Sequence, residues 1–239
     1  MNSDLFTAVA QNTMFVLEFL AIVLVIFIIA YAFDKVAKKR NNDSERILST
    51  KTVVLVGMLA AVATILMLFE IPVGFAPEFY KLDLSELPAL IAGFAYGPVA
   101  GIMVEFVKII LKTLIKGTST AFVGELANFV IGCGLILPAS VIYRFKKTKK
   151  NALIACIVGT LVITIIGPLF NAVYLLPAFS KLYGMPMDAI IGMGTAVNPA
   201  INSVEALVIF SVLPLNLLKG AIDCALTMAI YKPLSRILK

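Results

Sequence analysis

Five polar side chains stand inside stretches that are otherwise apolar: Asn128, Asn171, Asn216, Lys219 and Asp223, with Glu125 and Glu205 near the ends of such stretches. Asn216 and Lys219 lie one helical turn apart in Ser211-Val-Leu-Pro-Leu-Asn-Leu-Leu-Lys-Gly220. An ammonium group at the centre of a bilayer-spanning helix costs roughly 2.5–3.5 kcal/mol on insertion scales, so such a residue turns toward a cavity or a partner. An asparagine amide offers one acceptor and two donors, and lysine adds three donors. That set suits a neutral heterocycle whose edge alternates C=O and N–H groups. Two arrangements satisfy Lys219: pairing with Asp223 four residues on, which leaves Asn216 to bond a neighbouring helix, or donation to a ligand. Pro214 favours the second, because it lacks an N–H and unpairs a carbonyl one turn earlier, and broken membrane helices commonly line binding sites. Asn171, in Gly167-Pro-Leu-Phe-Asn-Ala-Val-Tyr-Leu-Leu-Pro177, fits interhelical bonding and ligand contact equally well.

Other chemistry is closed to this chain. It has no histidine, which removes HExxH zinc sites and the Ser-His and Cys-His nucleophiles. No GxxxxGK[ST] phosphate loop is present, so a partner or an ion gradient must drive any uphill step. Cys133, Cys156 and Cys224 lie in apolar runs without CxxC spacing and read as packing residues, with neither a disulfide framework nor a metal site. The expectation is a protein that is not an enzyme and needs no cofactor or metal.

The elements that must position the amides are membrane helices. Hydrophobic residues make up 61% of the chain and charged ones 14%, and mean hydropathy is +1.01, too apolar for a soluble globule. The reading is an all-α integral membrane protein. Runs of about 20 apolar residues span Met14–Phe33, Thr52–Ile71, Phe122–Tyr143, Ala152–Leu176 and Glu205–Tyr231. Leu84–Lys116 holds two shorter helices broken at Gly97-Pro98. The basic loops around Lys35–Lys51 and Arg144–Lys150 are expected in the cytoplasm of a plasma-membrane protein, which puts the N-terminus outside and the 232–239 tail inside. The loops Ile71–Asp83, Gly117–Thr120 and Pro177–Asn202 then lie outside. Ala30-Tyr-Ala32 resembles a cleavage site, but Asp4 precedes the apolar run and the positive cluster follows it, so the first helix is retained. Lys108, Lys112 and Lys116 share one helix face with Glu105 a turn away and are expected to meet water or lipid headgroups. The net charge of +6 falls between apolar runs, as a topology signal and not a nucleic-acid surface. Gly57-xxx-Ala61 and Ala60-xxx-Thr64 give the second span a close-packing face, for internal packing or for docking to another membrane protein.

One stretch reads Phe79-Tyr-Lys-Leu-Asp-Leu-Ser-Glu-Leu-Pro-Ala-Leu-Ile-Ala-Gly-Phe-Ala-Tyr-Gly-Pro-Val-Ala-Gly101. Together with Gly124-Glu-Leu-Ala-Asn-Phe129, Asn171-Ala-Val-Tyr-Leu-Leu-Pro177 and Pro214-Leu-Asn-Leu-Leu-Lys-Gly220, it resembles the riboflavin-binding S component of energy-coupling factor (ECF) vitamin transporters. The resemblance runs from about Lys51 to the C-terminus. It implies a six-helix S-component bundle (51–239) preceded by one extra transmembrane helix (1–34) and a basic linker (35–50). It implies that Asn171, Asn216 and Lys219 contact the flavin or its ribityl chain, with Lys81, Leu82, Asp83, Ala127 and Asn128 nearby and the 71–83 loop as a roof. The implied ligand is riboflavin, or FMN; the implied partners are a transmembrane coupling subunit and two ATPases, besides membrane lipid. Family members dock through small residues in their first helix, typically alanines four apart, which places Gly57, Ala60, Ala61 and Thr64 at that contact, Gly57-xxx-Ala61 being the nearest match. The same scaffold binding another vitamin, or a non-transport membrane scaffold, is the alternative.

Overall fold

The computed structural model describes residues 13–118 and 122–234. The tip of the loop expected around Gly117–Thr120 and most of the C-terminal tail therefore lie outside the described residues. Among those described, five helices are long and apolar enough to cross a membrane, so the chain is an all-helical, multi-pass membrane protein. The α-helices, in chain order, are α1 (Thr13–Arg40), α2 (Thr50–Leu68), α3 (Glu86–Tyr96), α4 (Pro98–Lys116), α5 (Val123–Phe145), α6 (Lys149–Phe170), α7 (Leu176–Tyr183), α8 (Met187–Val197), α9 (Val204–Leu207) and α10 (Leu213–Leu234). Between α2 and α3 the chain makes a two-strand hairpin, β1 (Ile71–Pro72) with β2 (Lys81–Leu82), in register Ile71 to Leu82 and Pro72 to Lys81. The 177–202 segment, read as a loop, contains most of α7 and all of α8.

Two helices are continuous through a widened turn. α6 runs into α7 through a π-helical segment at Asn171–Leu175, and α9 into α10 through another at Val208–Val212. Each widening sits beside a proline, Pro168 before the first and Pro214 after the second. A proline withholds one N–H from the helical ladder, and a π turn re-registers the carbonyls around that gap. The break expected at Pro214 thus takes the form of a bulge in an unbroken helix.

α3 and α4 separate at Gly97-Pro98 as the dipeptide predicts. Gly97 has φ of +106°, a left-handed conformation that excludes most side chains. A Cβ there would also lie 2.7 Å from the Asp34 carboxylate. Asp34, wholly buried on α1, stands against Gly97 at the start of α4. The guanidinium of Arg144, at the end of α5, stands 3.4 Å from Asp34 and 2.8 Å from Asp43. Lys38 closes the group with a 3.0 Å contact to Asp43. Higher on the same helix, Phe19 packs on Phe129 and Phe27 on Phe106, with centroids 6.2 and 5.8 Å apart. The first helix is therefore built into the α4–α5 face.

Removing one partner of a buried ion pair typically costs about 3–5 kcal/mol. Asp34→Ala should lower the thermal midpoint of the detergent-purified protein markedly, measured by scanning fluorimetry, whereas Leu24→Ala on the exposed face of α1 should leave it nearly unchanged.

Candidate functional site

The hairpin loop, the start of α5 and the two widened helices enclose a cavity of about 160 Å³. Its lining brings together Lys81, Asp83, Ala127, Asn128, Asn171, Asn216 and Lys219. Leu82 stands outside it, because strand residues alternate sides and Leu82 takes the face opposite Lys81 and Asp83. The sequence reading missed Glu70, Phe79, Tyr80, Ile131, Phe179 and Val212, which also line the space. These are aromatic, apolar or loop residues with no spacing signal; only the density of aromatics in the 71–83 loop hinted at them.

The asparagines differ in how they are occupied. Asn171 begins the first π segment; its side-chain N–H donates to the Gly167 carbonyl at 3.0 Å, while its oxygen accepts from the Tyr80 hydroxyl at 3.0 Å. Burial pushes the Tyr80 phenol above its ordinary range and keeps it a donor. Asn128 donates to the Gly124 carbonyl one turn back. Asn216, buried on α10, has a side-chain nitrogen with no hydrogen-bond partner. It fits because α6 carries Gly167 opposite, where a Cβ would collide with the Asn216 amide. A buried donor left unpaired costs about 1–3 kcal/mol, and Asn216 carries that cost against Gly167, in the wall of the cavity that Lys219 also lines.

Lys219 does not pair with Asp223. Its ammonium lies 3.1 Å from Asp83 at the root of the loop and 2.9 Å from Glu86 at the start of α3. Burial opposes ionisation of Asp83, but Lys219 and Lys108 outweigh it and hold the carboxyl down at about 2. Glu86 also reaches Lys108 at 3.2 Å, and Lys108 contacts Glu105 at 2.7 Å and donates to Ser85. The expectation that Lys108 meets water or headgroups is overturned. It is fully buried, because carboxylates from α3 and from its own helix converge on it. Lys112 pairs with buried Glu125 at 2.8 Å, and of the three lysines Lys116 alone is exposed.

The loop is fastened at its outer corner too. Glu70 receives Lys81 at 2.9 Å and Lys116 at 2.7 Å, tying β2 and the end of α4 to the end of α2. Behind Tyr80, Phe79 packs on Phe179 with near-parallel rings 6.0 Å apart. On α2, Gly57 and Ala61 face outward and open, whereas Ala60 and Thr64 are buried, with Thr64 bonded to the Ala60 carbonyl. The two small-residue pairs therefore serve different faces of one helix.

Residues 51–231 match the family described as ECF transporter, substrate-specific component. The chain is 33% identical over 176 residues to a riboflavin transporter, FmnP, of Bacillus subtilis, covering 73% of this chain and 87% of that one. It is 31% identical over 189 residues to the riboflavin transporter RibU of Staphylococcus aureus, covering 79% and 93%. A solved structure, described as the S component of a bacterial ECF transporter, superposes with a TM-score of 0.61 at 32% identity, over 79% of this chain and 98% of its own.

Two expectations follow from the geometry. Burial opposes ionisation of Glu70, yet hydrogen bonds from Lys116 and Lys81 hold its carboxyl below the usual range. A lowered carboxyl stabilises the fold above its unfolded pKa, and that contribution is lost as pH falls through the folded one. Amides of residues 71–82 should therefore lose hydrogen-exchange protection, relative to their intrinsic rates, as pH falls below about 4; Glu70→Gln should show the lower protection already at neutral pH. Gly167→Ala should displace the Asn216 side chain and cost about 1–3 kcal/mol by overpacking, read as a lower thermal midpoint.

Proposed function

The chain belongs to the substrate-specific components of ECF transporters, transport subunits and not enzymes, and from that premise we propose that it binds riboflavin for an ATP-driven importer. One observation carries the reading: Asn216, whose buried amide nitrogen has no hydrogen-bond partner, and Lys219 line one cavity walled by aromatic rings. The pyrimidine edge of isoalloxazine carries C=O and N–H groups that match an amide and an ammonium. Its flat tricycle matches the wall made by Phe79, Tyr80 and Phe179, and Asn128, Asn171 and Lys81 are left for the hydroxylated chain. The vitamin is uncharged, which suits a site whose lysine already has Asp83 and Glu86 as counter-charges. The relatives named as riboflavin transporters support the same substrate.

A cavity of about 160 Å³ is small beside the roughly 300–1,000 Å³ of most small-molecule sites. Entry of a tricycle therefore displaces Tyr80 from Asn171 and lifts the loop, with Glu70 as the fastening that yields. In the membrane, the short helix α3 and the charge-bearing helix α4 complete a layout of seven spans, with the loop outside and the basic segments after α1 and α5 in the cytoplasm. The exposed Gly57 and Ala61 of α2 offer the close-approach face for a transmembrane coupling subunit, which together with two ATPases supplies the energy that this chain has no motif to capture.

Protein purified from riboflavin-containing medium should be yellow and, after ligand removal, should quench added riboflavin fluorescence. Asn216→Ala should weaken binding by about 1–3 kcal/mol with the thermal midpoint of the flavin-free protein unchanged or raised. Lys219→Ala should weaken both binding and stability, since it strips Asp83 and Glu86 of a counter-charge. Full affinity in both variants would refute the site assignment.

A further inference from the structure

Beneath the cavity the charges do not balance. Four carboxylates, Asp83, Glu86, Glu105 and Asp223, share two ammonium groups, those of Lys108 and Lys219. Lys219 is engaged by Asp83 and Glu86, and Lys108 by Glu86 and Glu105. Asp223 is left over. It is 0% exposed, and neither of its oxygens has a hydrogen-bond partner. One turn further along α10, the Thr227 hydroxyl is equally buried and equally unpartnered.

The charged groups facing Asp223 are Glu86 from α3, Asp83 from the loop root, Lys108 from α4 and Lys219 from its own helix. From α6, packed along α10, the neighbours at this level are Thr160 and Cys156, both engaged with Cys224. No further cation reaches Asp223 from the described residues. A bare carboxylate in a medium this apolar carries a Born cost far beyond what a fold tolerates, so it is neutralised. Asp83 escapes that requirement, because it lines the cavity and holds Lys219 directly.

We propose that the floor of the bundle is a monovalent-cation site, in which Asp223, with the Thr227 hydroxyl one turn away, takes up one proton or one sodium ion. A divalent metal does not suit it: no three acidic, histidine or cysteine side chains converge on a metal position among the described residues. The bound cation supplies one of the two counter-charges that four carboxylates lack beside two ammonium groups, and leaves Lys219 to Asp83, Glu86 and the cavity.

The test uses the full chain in detergent without added flavin, so its outcome is independent of the substrate assignment. Infrared difference spectra between H₂O and D₂O report a protonated carboxyl, and thermal midpoints in sodium chloride against choline chloride at equal ionic strength report sodium. A protonated-carboxyl band that disappears in Asp223→Asn identifies the proton. A rise in midpoint specific to sodium that disappears in Asp223→Asn identifies the metal ion. Wild-type protein with neither signal overturns the proposal, without recourse to any variant. So does a band or a sodium response of undiminished size in Asp223→Asn, which would place the cation on another carboxylate alone.

Discussion

A charge cannot be left bare inside a bundle of apolar helices, and the arrangement around the cavity follows from that constraint. Lys219 on α10 and Lys108 on α4 are joined through Glu86, the first residue of α3, and through Asp83 and Ser85 at the root of the loop. The contacts of Lys219 join α10 to the loop root and α3, elements distant in the chain. Breaking an ion pair leaves a desolvated ion behind, so the loop root, α3, α4 and α10 are held in one register. The position of the Lys219 ammonium is set by carboxylates at the loop root and the start of α3.

The cavity itself exists because two helices depart from regular geometry at the same depth. The π segments at Asn171–Leu175 and Val208–Val212 lie against each other, and each widened turn shifts the side chains that follow it. Asn171 is turned toward Tyr80, and Asn216 is brought against Gly167, where the absence of a side chain leaves room for its amide. Prolines withhold the N–H groups, and the chain absorbs the loss as a bulge because the surrounding helices leave no water to satisfy a true break.

The helix ahead of the family core has a structural role. Asp34 stands against the start of α4 where Gly97 permits the chain to turn, and Arg144 joins it to the end of α5. α1 thereby holds the α3–α4 junction and the basic end of α5 together, while its opposite face, with Leu17, Leu24 and Ile28, is left for lipid.

Apolar runs, proline and glycine positions and the scarcity of polar residues were enough to place the long helices, though not α7 and α8, together with the break at Gly97-Pro98 and the amides at membrane depth, since these depend on period, length and local backbone chemistry. Asn171, Asn216 and Lys219 were legible as a set because an amide or ammonium at that depth is too costly to be incidental. The partners of those groups were not legible. Spacing along α10 offered Asp223 to Lys219, and spacing along α4 offered water to Lys108, yet both lysines turn to carboxylates supplied across the bundle. Leu82 fell outside the cavity through strand alternation, and Ala60 and Thr64 fell inside the core through the rotation of α2. Local sequence determines which groups must find partners, whereas the partner is chosen by helices that meet only after folding, because in a low-dielectric interior the lowest energy goes to whichever opposite charge packing brings closest.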